Sequence, residues 1–156
     1  MSQYEVGTIL PDLIVNDADN MPTSLKTQMG EKGLLIYVLR GTWCPFCVGQ
    51  IDRVRRRYPK YQAQGVNTVF IVPEPYATVN GFAVSTPRPL PFQLYADEQS
   101  TLADALTYPV ETPRERPIGI YLLNKERKIV WRFVGHEDEN FPTQQDILDV
   151  IATYLP

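Results

Sequence analysis

The sequence predicts an α/β sandwich, a mixed sheet with helices on its faces. Three observations lead there. An apolar run, a stretch of helical periodicity and a second apolar run follow one another over residues 33–72, the pattern of a βαβ unit. Two more strand-like runs, 118–123 and 128–134, are joined by the polar turn Asn124-Lys125-Glu126-Arg127, the pattern of an antiparallel hairpin. An amphipathic stretch then begins at Thr143.

In chain order, residues 4–16 read as an extended lead-in punctuated by Gly7, Pro11 and Asp12, with a short strand at Leu13-Ile14-Val15. Residues 17–32 are polar and loop-like, with one helical turn around 24–29. The apolar run 33–40, bounded by Gly33 and Gly41, suits a central strand buried on both faces. Residues 45–64 form a helix on the spacing of Val48, Ile51, Val54 (or Arg55), Tyr58 and Tyr61. Pro45 fits its first turn, Pro59 would bend or break it near its end, and Gly65 stops it. Residues 66–72 are the second strand. Residues 73–91, rich in proline and glycine, read mostly as loop with part of an irregular helix. A short strand follows at 92–95, and Ser100 caps a short helix through Leu106. Thr143 with Asp146 forms a capping box for the last helix, whose buried stripe is Ile147, Leu148, Ile151, Tyr154 and Leu155.

The 156 residues suit one domain spanning 1–156. A net charge of −3 gives no general reason to expect nucleic acid or an anionic membrane as partner. No stretch approaches the roughly 20 apolar residues of a membrane span. The start, MSQYEVGTILPD, lacks a basic region followed by an apolar run, so no signal peptide is expected and the expected location is cytoplasmic.

Both cysteines of the chain lie in Trp43-Cys44-Pro45-Phe46-Cys47, between the first strand and its helix. A Cys-x-x-Cys in that place is a redox signature. At a helix N-terminus, unpaired N–H groups and the positive end of the helix dipole favour a Cys44 thiolate. Cys47 lies one turn further on and can close a disulfide with it. A structural zinc site takes four ligands. The two cysteines and the one histidine, His136, fall short of that count, which excludes a four-ligand Cys/His site within one chain and leaves only one completed by carboxylates or shared between chains; no metal is expected.

The motif and element order resemble the thioredoxin-like superfamily. Val6-Gly7…Pro11-Asp12 is similar to the lead-in of peroxiredoxins and the related alkyl hydroperoxide reductase/thiol-specific antioxidant (AhpC/TSA) family. Arg40-Gly41-Thr42-Trp43-Cys44-Pro45-Phe46-Cys47 looks like the active-site stretch of a peroxiredoxin-like branch with a thioredoxin-style pair. Residues 117–124, Lys128-Ile129-Val130 and Phe133-Val134-Gly135 resemble its late strands, so the likeness covers nearly the whole chain. It implies a thioredoxin-like three-layer α/β/α sandwich with an N-terminal extension, and relatives of this kind often form homodimers. Two features depart from peroxiredoxins. The Pro-x-x-x-Thr-x-x-Cys motif aligns on neither cysteine, and the late-strand arginine position falls on Ile118. Both weigh against efficient peroxide activation and leave thiol–disulfide exchange intact. Pro45-Phe46 is also similar to the glutaredoxin Cys-Pro-Tyr-Cys, without a Gly-Gly pair after the late strands.

Cys44 is the expected nucleophile and Cys47 the resolving thiol. An alignment on Cys47 makes that sulfur the peroxide-reactive one instead. Trp43, Pro45, Arg116 and Pro117 are the candidate substrate-binding residues. Trp43 flanks the pair, and the resemblance implies a cis Pro117 facing it. Arg116 either contacts an anionic or peptide substrate or is simply solvated. Arg53, Arg56, Arg57 and Lys60 read as a solvated helix face. His136 falls in an exposed loop and is a poor base for Cys44. The function expected is a thiol–disulfide oxidoreductase of antioxidant type that cycles the pair without a cofactor. Its substrate would be a protein disulfide or a hydroperoxide, its electron donor a thioredoxin or glutathione system. The alternatives are a hydroperoxide reductase and a non-catalytic redox sensor.

Overall fold

The computed structural model describes residues 4–156. Ile14–Asn16 (β1) pairs antiparallel with Pro22–Ser24 (β2), a ribbon where only a lead-in strand and a polar loop were expected. Asp17 makes the turn, because its carboxylate accepts the N–H groups of Asp19 and Met21, both at 2.9 Å. The expected helical turn is present as a 3-10 segment, Leu25–Gln28, capped by the Ser24 hydroxyl.

Gly33–Val38 (β3) is buried at every position. It pairs in parallel with Val66–Val72 (β4), which pairs in parallel with Gln93–Ala96 (β5). On its other side β3 pairs antiparallel with Ile118–Asn124 (β6), which pairs with Ile129–Gly135 (β7). The sheet order is β5-β4-β3-β6-β7, mixed as the sequence implied.

Alternation along β3 divides its side chains between two cores. Leu35, Tyr37 and Leu39 pack with Phe70, Ile118 and Ile120 beneath two helices, Pro45–Ala63 (α1) and Gln144–Tyr154 (α4). Leu34, Ile36 and Val38 pack with Ile71 and Tyr121 on the opposite face, against Leu10 and Val15 of the lead-in and the short helix Thr101–Leu106 (α3). The result is the expected α/β/α sandwich.

Four expectations need correction. Pro59 does not end α1, because Tyr58 and Tyr61 are both buried and hold its last turns against the sheet. The helical part expected within 73–91 is Tyr76–Val84 (α2), and it is regular rather than irregular; only Val79 is buried, so no apolar stripe marks it. Ser100 does not cap α3 with its side chain. The carboxylate of Asp97 does so instead, accepting from Leu102 N at 3.2 Å and Ala103 N at 2.8 Å. Tyr154 leaves the buried stripe of α4 and is half exposed. The capping box of that helix is present: Thr143 N donates to Asp146 at 2.8 Å and Asp146 N to the Thr143 hydroxyl at 3.0 Å.

Candidate active site

The chain leaves the carboxyl end of β3 through Leu39 and Arg40 and turns into α1 at Cys44. Cys44 is the N-cap residue, with extended backbone at φ −90° and ψ 112°. Its Sγ occupies the place of a capping hydroxyl and accepts the N–H of Cys47 at 3.2 Å. Its carbonyl accepts Val48 N at 3.0 Å, the first bond of the helix. Pro45 at N1 is exposed and has no N–H to satisfy. Both cysteines are free thiols.

The two sulfurs differ in their surroundings. Nη1 of Arg40 lies 3.6 Å from Cys44 Sγ, so a guanidinium and a helix N-terminal amide both point at that sulfur. Cys47 is fully buried, and its Sγ accepts Arg40 N at 3.4 Å. Burial pushes its thiol pKa up, and the bond to Cys44 pushes in the same direction. Two donors thus converge on Cys44 Sγ, while burial makes Cys47 the harder of the two thiols to ionise.

Arg40 organises the site although it is only 7% exposed. Its Nε donates to the carbonyl of Arg116 at 2.7 Å. Its two terminal nitrogens donate to both carboxylate oxygens of Glu137, at 2.7 and 3.1 Å. One side chain thus ties the end of β3, the segment leading into β6 and the loop after β7 to Cys44. Neither Arg40 as a functional group nor Glu137 was singled out from sequence. The signal for Arg40 was its charge at the end of a wholly apolar strand, a position where arginine is rarely buried without partners. Glu137 is 97 residues away, and no local pattern marks it.

That clamp makes stability depend on pH. The hydrogen-bonded Arg40 guanidinium holds the Glu137 carboxyl below its ordinary value. A depressed carboxyl stabilises the fold above its unfolded pKa of about 4.3 and loses that contribution as pH falls through the folded value. Denaturant melts of the wild type and Glu137→Gln are therefore expected to differ near neutral pH and to converge on acidification. A gap that stays constant into acid would refute the assignment.

The other predicted residues fall in different places. Trp43 is 46% exposed beside the pair. Its indole lies over Gly41, where an added Cβ would sit 2.6 Å from Trp43 Cδ1 and closer still to Nε1. Gly41→Ala is expected to displace the indole at a cost of about 1–3 kcal/mol. In a Trp131→Phe background this should shift the tryptophan emission; an unchanged spectrum and melting curve would contradict it. The neighbouring Thr42 N donates to Glu74 at 2.7 Å, which anchors the same loop.

Arg116 is not solvated. It is buried, donating to Asp104 at 2.7 Å, to the Thr107 hydroxyl at 2.9 Å and to the Tyr108 carbonyl at 3.0 Å. Its carbonyl, not its charge, reaches the site. Pro117 is buried, and no cis peptide bond occurs among the described residues, so the Arg116–Pro117 bond is trans, the usual preference of X–Pro. His136 is paired with Glu139 at 2.7 Å and with the Glu115 carbonyl at 3.0 Å.

A family model, the AhpC/TSA family, matches residues 6–132. The chain belongs to the AhpC/TSA family. Among curated relatives, the thiol-disulfide oxidoreductase ResA of Geobacillus thermodenitrificans is 32% identical over 101 residues, 64% of this chain and 56% of that protein. The match thus spans little more than half of that relative. A ResA of Bacillus cereus is 24% identical over 137 residues, 86% of this chain and 73% of that protein. Among solved structures, the peroxidoxin BcpB of Mycobacterium tuberculosis superposes with a TM-score of 0.80 at 16% identity, covering 97% of each chain. This AhpC/TSA chain therefore has the thioredoxin-like, peroxiredoxin-type fold, with a Cys-x-x-Cys pair where β3 meets α1.

Proposed function

We propose that the protein is a thiol–disulfide oxidoreductase of antioxidant type, with Cys44 as nucleophile and Cys47 as resolving thiol. The observation that carries this is the asymmetry of the pair. Two donors converge on Cys44 Sγ, while Cys47 is sealed and its pKa raised. The names of the two ResA relatives point the same way. In the forward step the Cys44 thiolate attacks a substrate disulfide, forms a mixed disulfide and expels one substrate thiolate. Cys47 loses its proton and attacks Cys44 Sγ, expelling the second thiolate. The substrate gains two electrons and the protein becomes its internal disulfide. A thioredoxin or glutathione system would return the electrons. The cytoplasm is the compartment in which such a pair rests as the dithiol.

A second activity, hydroperoxide reduction, is favoured by the 2% exposure of Cys44, which admits a small peroxide more readily than a protein disulfide. There the Cys44 thiolate takes an oxygen from the peroxide, releasing an alcohol or water. Cys47 then condenses with the sulfenic acid, and its thiol proton leaves with the sulfenic hydroxyl as water.

Stopped-flow mixing of the reduced protein with hydroxyethyl disulfide and with hydrogen peroxide decides between them. Rapid disulfide exchange ending in a Cys44–Cys47 bond, with peroxide no faster than with a free thiol, supports the oxidoreductase. A fast peroxide phase with slow exchange supports the peroxidase. Multiple turnovers in an NADPH-coupled thioredoxin assay exclude a non-catalytic sensor.

A further inference from the structure

A groove of about 620 Å³ lies between α1 and the loop that leads into α4, and it starts at Phe46, the residue between Pro45 and Cys47. Phe46, Gln50, Arg53, Arg56 and Arg57 line it from α1; steps of three and four residues keep them on one helix face. Glu137 and Phe141 line it from the loop. Phe46 and Phe141 meet edge to face, with ring centroids 4.9 Å apart.

Three observations say what this groove would take. First, Arg55 and Arg56 are both engaged by Asp52, at 2.7 and 3.0 Å, whereas Arg53 and Arg57 form no ion pair among the described residues. Two cations therefore face the groove uncompensated. Secondly, Gln50 is 3% exposed and its Oε1 has no hydrogen-bond partner. That oxygen is sealed below the groove floor, so the N–H of an extended peptide backbone would reach it only after the Gln50 side chain turns outward. Thirdly, Nη1 of Arg53 lies 3.8 Å from where a Cβ on Gly49 would sit. The Arg53 guanidinium is thus laid back along α1 toward Cys44, the direction in which helical side chains lean.

These placements give a spacing. Gly49 lies about 7.5 Å along the helix axis from Cys44 at 1.5 Å per residue. An extended chain covers that in about two residues at roughly 3.3 Å each. Arg57 lies one turn beyond Arg53, or about four residues of extended chain from the cysteine. Glu137 also borders the groove, its charge already paired with Arg40.

We propose that this groove seats an extended segment of a protein partner whose reactive cysteine meets Cys44. Carboxylates about two and four residues from that cysteine would pair with Arg53 and Arg57. The proposal rests on the thiol–disulfide reading of Cys44, and it assigns a charge pattern to the partner.

The test uses fluorescein-labelled peptides with serine in place of the reactive cysteine. Glutamates stand two and four residues away, on the N-terminal side in one peptide and on the C-terminal side in another. Glutamine versions serve as controls. Fluorescence anisotropy with the reduced full-length protein is expected to show about tenfold tighter binding of one acidic peptide than of its glutamine control. High salt should erase the difference, as should Arg53→Gln/Arg57→Gln, while the reaction of that double variant with hydroxyethyl disulfide stays at the wild-type rate. Equal binding of the acidic and glutamine peptides, or a preference that survives the double substitution, overturns the proposal. So does arginine-dependent self-association in sedimentation, which would give the groove to a second copy of the chain. Failure of the wild type to react with hydroxyethyl disulfide would instead count against the oxidoreductase reading, and the peptide binding would still judge the groove.

Discussion

Cys44→Ser is expected to lower disulfide exchange at least about a thousandfold, to the background level, because a serine hydroxyl is not ionised at neutral pH and does not attack sulfur. Cys47→Ser is expected to behave differently. The first attack should proceed at a rate near that of wild type, since both donors to Cys44 Sγ, the Cys47 backbone N–H and the Arg40 guanidinium, survive the change. The reaction should then halt at a mixed disulfide, visible by mass, because no second sulfur remains to release it. Burial pushes the Cys47 thiol up, so in the wild type the release step should quicken as pH rises and that thiol ionises. The reverse pattern, with Cys44→Ser trapping adducts and Cys47→Ser inert, would exchange the two roles. It would also favour the alignment that makes Cys47 the peroxide-reactive sulfur.

The legible parts of the molecule were those whose cause is local. The stripe that buries Ile51, Val54, Tyr58 and Tyr61 shows as a period in the sequence, as does the capping box of Thr143 and Asp146. The all-buried strand β3 shows as an unbroken apolar run. The position of both cysteines at the strand-to-helix junction follows from those two signals together. What stayed hidden depends on contacts distant in sequence or on the absence of a period. Helix α2 packs little of its surface, so its apolar residues are not confined to one face, and only part of an irregular helix without bounds was legible in 73–91. Asp97 caps α3 from outside the helix, three residues before the Ser100 that sequence pointed to. The Arg40–Glu137 clamp joins two segments that only the sheet brings together. Arg116 misled for a related reason: its charge is consumed by Asp104 and Thr107, and the useful atom is its backbone oxygen.

Arg40→Met is expected to slow alkylation of Cys44 by iodoacetamide at neutral pH about tenfold, with a smaller loss of stability. The rate estimate follows from removing one charge-assisted donor to the thiolate, since about 1.4 kcal/mol corresponds to a factor of ten. The stability cost is limited by the partners left behind. A fully buried ion pair that loses one member costs about 3–5 kcal/mol. The Glu137 side chain is 41% exposed, however, and can rehydrate once the arginine is gone. Its contribution is screened accordingly, and the Arg116 carbonyl is the main group left without a donor. Together these give a loss of about 1–2 kcal/mol. Arg40→Lys separates charge from geometry. An ammonium keeps the positive charge near Cys44 but lacks the planar fork that reaches Arg116, Glu137 and the sulfur at once. Arg40→Lys should therefore recover part of the alkylation rate while melting close to Arg40→Met. If both variants alkylate like the wild type, the guanidinium is only a structural tie between β3 and the loop after β7, and the helix N-terminus alone activates Cys44.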